Sequence, residues 1–457
     1  MATLAIVGAG FCGTMVATHV LRGAPHGIDR ILLVERNGRD VGGVAYGTSS
    51  TSHTLNVPAG RMSAFEDEPD DFLRFVRARD PALTGGAFVP RRLYGEYLAH
   101  TLEAARRDSP VKLIRVAGEA VAAVEHADRV TLGLGDGRVL DAEQVVLAVG
   151  NYPPSDPPAI DGWLSRSLRY GRDPWAPDAL ETERDEPVLL LGTGLTMCDV
   201  ALALRDADQR GAIVAISRRG LLPQPHRVSP TPPPHLDPPS EMDTWEPTAA
   251  GLLRGLRDEV RRVAGAGIDW REVVTSIRHD TPALWQRLDD EERRRFLRHL
   301  RPYWETHRHR ASPETAFAVE AMVGAGALRL LRGRVVGYAQ TATGVQVSYE
   351  TRAGVEQLEV GKVINCTGPN TDLTEVRDLL VGSLRVDGTI RPDALGLGLD
   401  TDDEGRLVDV AGHASERLSL AGPLRKGRLW EHTAVPELRV EARLLAARLW
   451  RGAQGSD

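Results

Sequence analysis

A chain of 457 residues with 42% hydrophobic residues is long enough for two or three domains with sizeable cores, and its formal net charge of −7, without a basic tail, gives no footing for nucleic acid. Its three cysteines, Cys12, Cys198 and Cys366, lie far apart with no C-x-x-C, which fits a reducing compartment and argues against a dithiol centre of the usual disulfide-reductase kind. No apolar run approaches the roughly 18 residues of a membrane span and the first apolar run lacks a basic flank, so the expected setting is cytoplasmic, with no membrane partner.

The chain opens on a buried-type strand, Leu4 to Val7, and turns at Gly8-Ala9-Gly10-Phe11-Cys12-Gly13 into a helical stretch, Thr14 to Leu21. A second strand, Ile31 to Val34, ends on Glu35-Arg36. This strand–glycine turn–helix–strand order is the dinucleotide-binding fingerprint. Gly8 permits the turn, Gly10 lets backbone approach a pyrophosphate, and Gly13 lets helix and strand pack closely. The helix N-terminus offers free N–H groups to phosphate, and Glu35 stands where an acid accepts from ribose hydroxyls.

A long loop follows, Gly42 to Phe65. Phe72 to Arg79 and Tyr94 to Arg107 read as helices. Val111 to Val116, Ala120 to Glu125 and Val130 to Leu134 read as strands, with a hairpin turn at Asp136-Gly137. Gln144 to Val149 is a buried-type strand ending at Gly150, and Tyr152-Pro153-Pro154 begins an extended linker.

A second glycine turn, Gly192-Thr193-Gly194-Leu195-Thr196-Met197, follows the apolar run Val188 to Leu191. Met197 stands where a third glycine would be. The next strand, Ala212 to Ile216, ends in Ser217-Arg218-Arg219 with no acid. Two guanidiniums there suit a 2′-phosphate, hence NADPH over NADH; the plain alternative is a solvated surface pair.

A proline-dense stretch between Leu221 and Ser240, including Pro232-Pro233-Pro234, predicts extended chain, and a helical insert follows from about Thr248 to Ala327. Within it the charge run Asp289 to Arg310 reads as a solvated helix face, the sharper alternative being an anion-binding or nucleotide-covering face. Strands resume at Leu328 to Leu331, Gly344 to Tyr349 and Lys362 to Asn365, the last running into Cys366-Thr367-Gly368. A strand Leu418 to Gly422, a helix Val435 to Arg451 and a disordered tail complete the chain. The expected architecture is α/β, with two Rossmann-like dinucleotide-binding domains. The NAD(P) domain (176–371, carrying the insert at about 221–327) interrupts the FAD domain (1–175 and 372–457).

The segments Gly43 to Thr48, Leu55 to Phe65, Ser217 to Pro223, Asn365 to Pro369 and Leu429 to Arg439 resemble those of a two-dinucleotide-binding FAD/NAD(P)-binding oxidoreductase family. Phe88-Val89-Pro90-Arg91-Arg92-Leu93-Tyr94-Gly95-Glu96-Tyr97-Leu98 is distantly similar to a segment of the N-hydroxylating flavin monooxygenases. The resemblance implies FAD at the first turn and a nicotinamide nucleotide at the second. It puts Asn56, the one catalytic candidate, and Val57 near flavin N5, and Thr433, Ala434 and Val435 near N1 and O2; Val121 and Gly150 join the FAD-binding candidates. Asn56 equally suits a turn before Pro58. His53 and His432 read as structural rather than catalytic, and Arg61 and Arg91 as partners of acids such as Asp67, the alternative being a clamp on a nicotinamide phosphate or an acidic substrate. One departure is Gly422-Pro423, where relatives carry Gly-Asp. No metal-ligand spacing occurs.

The function expected is an NADPH-using FAD monooxygenase acting, with molecular oxygen, on a small amine or sulfur substrate. The alternatives are a flavin reductase or dehydrogenase without oxygen insertion, and a slow-turnover FAD-binding redox sensor.

Overall fold

Strand β1 (Ala2–Val7), helix α1 (Phe11–Gly23) and strand β2 (Ile28–Glu35) form the βαβ unit that the first glycine turn predicts. β1 is buried from Thr3 onward because it lies inside a parallel sheet, which is why its sequence is continuously apolar. The computed structural model describes residues 2–24, 27–36, 38, 41–48, 50, 52–160, 162–176, 178–228 and 236–454. The proline run 232–234 and the last tail residues 455–457 lie outside them.

Helices α2 (Gly43–Tyr46), α3 (Asp71–Arg77) and α4 (Arg91–Asp108) follow. Then come β3 (Lys112–Ala117), β4 (Ala120–Glu125), β5 (Val130–Leu134), β6 (Val139–Ala142) and β7 (Gln144–Leu147). After an irregular linker come β8 (Tyr170–Gly171), β9 (Val188–Leu191), α5 (Leu195–Asp206) and β10 (Ile213–Ser217). The insert supplies α6 (Ala249–Ala264), α7 (Trp270–Ser276), α8 (Thr281–Gln286), α9 (Asp290–His299), α10 (Arg301–Arg308) and α11 (Pro313–Gly324). Next are β11 (Leu328–Arg332), β12 (Arg334–Gln340), β13 (Val345–Thr351), β14 (Gly354–Val360) and β15 (Lys362–Asn365). The chain ends with α12 (Leu379–Val386), β16 (Arg406–Val408), β17 (Ala414–Leu420) and α13 (Val435–Gln454).

Among the described residues one sheet has the order β16-β17-β7-β1-β2-β3, parallel except for the β16–β17 pair. A second, all parallel, has the order β11-β10-β9-β15-β8. The chain leaves the first sheet after β7 and returns to it only at β16 and β17, so the second sheet and the helical insert are spliced into the first unit. β8 falls within the span 1–175 expected for the FAD domain, yet it pairs with β15 of the second sheet. Tyr170 Oη donates to Asp156 at 2.9 Å there, and Asn365 Nδ2 donates to Ser155 O.

Three sequence expectations need correction. The loop Gly42 to Phe65 contains α2, whose glycine-rich run hides a helical turn packed against α4. β12 and β14 flank β13 in an antiparallel meander, too exposed to show a clean apolar alternation. α13 continues to Gln454, beyond the Arg451 at which a disordered tail was expected.

Candidate functional site

The two glycine turns are built alike. Gly8 and Gly192 each have φ near +106°, and a Cβ on either would strike the carbonyl of the strand next door, Ala148 O in one unit and Cys366 O in the other. Only glycine fits there. Gly10 and Gly194 are the N-caps of α1 and α5, without a side-chain cap, and a Cβ on either would meet nothing within 4 Å. That combination, uncapped helical N–H groups facing open space, is the cradle a pyrophosphate needs. Gly13 is tight because a Cβ would collide with Gly8 O, whereas Met197 at the matching place is fully buried in the core of the second unit.

Glu35 Oε2 accepts the Ala9 N–H at 2.9 Å, which sets its carboxylate beside the first turn. Phe11 and Cys12 are buried under that turn. Arg36 is exposed, 4.0 Å from Glu119. Val121 is half-buried in β4, and Gly150 follows β7 as Gly368 follows β15. At the Gly422-Pro423 departure the nearby acid comes from α13: Glu441 Oε1 accepts the Gly422 N–H at 3.2 Å and pairs with Arg425 at 3.1 Å.

In the second unit Thr193 and Ser217 hydroxyls lie 2.8 Å apart, and Ser217 Oγ accepts the Gly220 N–H at 2.9 Å. Leu195 and Thr196, half-buried, begin α5. Arg218 is exposed; Arg219 is half-buried, with its guanidinium 5.6 Å from the Tyr303 ring of the insert. Neither arginine forms an ion pair among the described residues.

Asn56 and Val57 are half-buried, and the insert reaches Asn56 directly: His226 Nε2–H donates to Asn56 O at 3.0 Å. Burial, then the charge of Arg310, pushes the His226 imidazole down to about 3, so the ring is neutral. Thr433 and Ala434 are half-buried and Val435, the first residue of α13, is buried. Arg439 Nη1 donates to Ser63 O at 2.9 Å, tying α13 to the 55–65 segment.

The charge run 289–310 divides in two. α9 is the solvated face expected, with spaced pairs such as Glu291–Arg295 and Asp290–Arg294. Arg308 and Arg310 break that expectation, because both are buried. Arg308 meets Glu437 at 3.4 Å and His309 meets Glu431 at 3.2 Å, while Trp304 Nε1 donates to Glu431 at 2.8 Å. Arg278 forms a two-point pair with Glu437, its Nη2 at 2.6 Å. Trp285 and Trp430 stack at 4.6 Å. The insert therefore roofs the segment from Trp430 to Glu437 as well as Asn56. His226 and Arg278 were not singled out from sequence, and Arg308 and Arg310 were read only as part of the charge run, mainly as a solvated face. The acid that Arg278 and Arg308 share and the carbonyl that His226 reaches lie over a hundred residues away, and no local pattern marks them.

Arg91 does pair with an acid, but it is Asp199 of α5, at 2.7 Å, with Nε donating to Thr54 O. His53 Nδ1 lies 2.8 Å from Thr48 Oγ1 and its ring meets Trp175 edge-on, as a structural histidine does. His432 Nδ1 lies 3.9 Å from Glu441. The three cysteines are buried and unpaired, and burial raises each thiol, so none is a ready thiolate. No group of metal-ligating residues occurs among the described residues, and no helix there is long and apolar enough to cross a membrane.

Two spliced, largely parallel sheets, each with a glycine turn feeding a helix N-terminus, make the two-dinucleotide-binding fold. Residues 5–152 match the profile of the FAD-NAD(P)-binding family. The chain is structurally similar to ornithine hydroxylase from Pseudomonas aeruginosa (TM-score 0.65, 16% identity, 99% of each chain covered). It is likewise similar to an ornithine N-hydroxylase from Kutzneria sp. 744, described with reduced FAD, NADP+ and L-ornithine (TM-score 0.58, 16% identity, 99% of each chain). The bacillithiol disulfide reductase of Staphylococcus aureus shares the fold too (TM-score 0.58, 13% identity, 99% of each chain). No curated protein sequence matches the chain. Residues 5–152 thus match that family's profile, and the whole chain shares the fold of these flavoproteins.

Proposed function

We propose that this chain is an NADPH-dependent FAD monooxygenase that hydroxylates a small substrate at an amine nitrogen or sulfur, using molecular oxygen. FAD belongs to the unit formed by 1–175 and 372–457 and NADPH to 176–371. When bound, FAD supplies hydride acceptance from the nicotinamide and electron delivery to oxygen. The turn Gly8 to Gly13 holds its pyrophosphate and Glu35 its ribose. Asn56, Val57 and Thr433 to Val435 flank its ring, with the start of α13 turning a positive dipole end toward it. Gly192 to Thr196 and Ser217 to Arg219 hold the nucleotide.

The reading's main support is the roof. His226, half-buried and neutral, reaches Asn56 O, and the insert meets Trp430 to Glu437 through buried pairs, an arrangement that would keep water from a ring bound there. A disulfide reductase would need reactive thiols, and the cysteines here are buried, unpaired and hard to ionise.

Anaerobic stopped-flow absorbance tests it. NADPH is expected to bleach the flavin, and admitting oxygen to give a transient species that outlives mixing. Immediate return of the oxidised spectrum, with amines and thiols present, would favour the reductase alternative. Absence of reduction by either nucleotide would sink the reading of the second turn.

The 2′-phosphate assignment has its own check. Charge-assisted hydrogen bonds are worth about 1.5–3 kcal/mol each, so losing two with Arg218→Ala plus Arg219→Ala should lower the NADPH-over-NADH preference by roughly a hundred-fold. An unchanged ratio of flavin reduction rates removes the assignment.

A further inference from the structure

The insert carries charge that cofactor binding does not use. The charges of Arg271, Arg278, Arg308 and Arg310 act on one another and on His226 where the insert meets Asn56 and the start of α13. The acids facing them are already engaged. Glu437 takes Arg278 and Arg308. Glu431 accepts from Trp304 through Oε1, and its Oε2 lies 3.2 Å from His309 and 3.6 Å from Arg308 Nε, at ion-pair distance but without a hydrogen bond to the arginine. Asp269 takes Arg271 at 3.2 Å, and Glu272 takes the half-exposed Arg227 at 3.2 Å. Among the described residues no carboxylate stands within ion-pair distance of Arg310.

Arg310 is nevertheless only 9% exposed, and Arg308 8%. Arg310 Nη2 donates to Thr275 Oγ1 at 2.9 Å and Nη1 lies 3.5 Å from Arg271 O. The Nε–H groups of both arginines are buried without an acceptor. Burial and the neighbouring Arg308 and Arg271 lower Arg310 to about 10, still charged at neutral pH. Burying a charge with unused donors is costly unless a partner completes it. Two adjacent guanidinium forks suit a carboxylate or phosphate, whose oxygens accept in the same plane.

We propose that Arg310 and Arg308 receive the anionic group of the substrate, a carboxylate or phosphate, and so hold the reacting end toward Asn56. This rests on the reading of Asn56 as flavin-facing, since the same cluster is tied to Asn56 O through His226. A nicotinamide phosphate would offer the same chemistry. We assign the site to the substrate because Arg219, one of the two arginines proposed to read the nucleotide's phosphate, meets the insert elsewhere, at Arg298 and Tyr303.

The test is isothermal titration of the oxidised FAD holoenzyme with malonate, against chloride at matched ionic strength. Saturable malonate binding is expected, weakened about ten-fold or more in Arg310→Met, the loss of one charge-assisted contact. It should be unchanged in Arg254→Met, an exposed arginine of α6 paired with Glu246. Saturating NADP+ should leave malonate affinity intact. Heat no different from chloride in the unsubstituted protein overturns the proposal whether or not the variant folds. Unaltered affinity in a folded Arg310→Met overturns it too, and displacement by NADP+ overturns the substrate assignment. Binding is read without turnover, so failed NADPH oxidation would count against the monooxygenase reading alone. A flavin difference spectrum taken in the same titration tests the Asn56 placement separately.

Discussion

Gly10→Ala should yield a folded protein that purifies without yellow colour. The new methyl meets nothing within 4 Å of its own chain and Gly10 has φ of −70°, so neither packing nor backbone opposes it. The methyl instead occupies the space through which backbone approaches the pyrophosphate. Two lost charge-assisted hydrogen bonds at about 1.5 kcal/mol each correspond to a weakening of roughly a hundred-fold or more. Circular dichroism and the ratio of flavin to protein absorbance read the two halves of the prediction. Retained colour at full occupancy would contradict the turn's role. Gly194→Ala supplies the matched contrast: the same open position in the second unit should leave the protein yellow while slowing its reduction by NADPH. Gly8→Ala should behave differently from both, because its Cβ collides with Ala148 O and the left-handed backbone there disfavours alanine. That variant is expected to lose stability as well as colour.

These turns were legible in the sequence because their determinants are local. A strand, a glycine spacing and an amphipathic run occupy a few tens of residues, and each supports the others. The placement of Glu35, Arg218 and Arg219 at strand ends was legible for the same reason, since a position after a strand fixes which end of the sheet a residue reaches. The splice of one unit into the other followed from the repeat of apolar strand and glycine at Val149-Gly150 and Cys366-Thr367-Gly368.

The roof was not legible. His226 follows a proline-dense stretch that gives no direction to its side chain. Arg308 and Arg310 sit in a run, His307 to Arg310, whose composition is that of a solvent face. Arg308 is buried against Glu431 and Glu437, from a segment that the sequence marks for other reasons, and Arg310 against Thr275 and Arg271. A helical pattern shows which residues share a face; it does not show that the face meets acids more than a hundred residues away. α2 was hidden by its glycines, and β12 and β14 by their exposure.

Glu437→Gln is expected to have the largest effect on stability. Glu437 is almost wholly buried and is the shared acid of Arg278, from the turn between α7 and α8, and Arg308, from α10. Removing its charge leaves two guanidiniums at the insert–α13 junction with one carboxylate, Glu431, that is already engaged. Breaking a buried pair by removing one partner costs about 3–5 kcal/mol. The thermal midpoint should fall, and protease should cut first in the insert. The pH dependence distinguishes lost charge from lost packing. Burial by itself would raise the Glu437 carboxyl, but Arg278 and then Arg308 outweigh it and hold it below the ordinary value of 4.5. A carboxylate depressed in the folded state contributes its stabilisation above the unfolded value and loses it as pH falls through the folded one. The unsubstituted protein should therefore lose stability steeply below about pH 4.5, in the range of an unfolded glutamate. Glu431 and Glu441, also held low by buried cations, add to that slope. In Glu437→Gln the loss should already be present at neutral pH, and the acid limb should be shallower. An acid limb of unchanged slope in the variant would mean that Glu437 is not held as a carboxylate by Arg278 and Arg308.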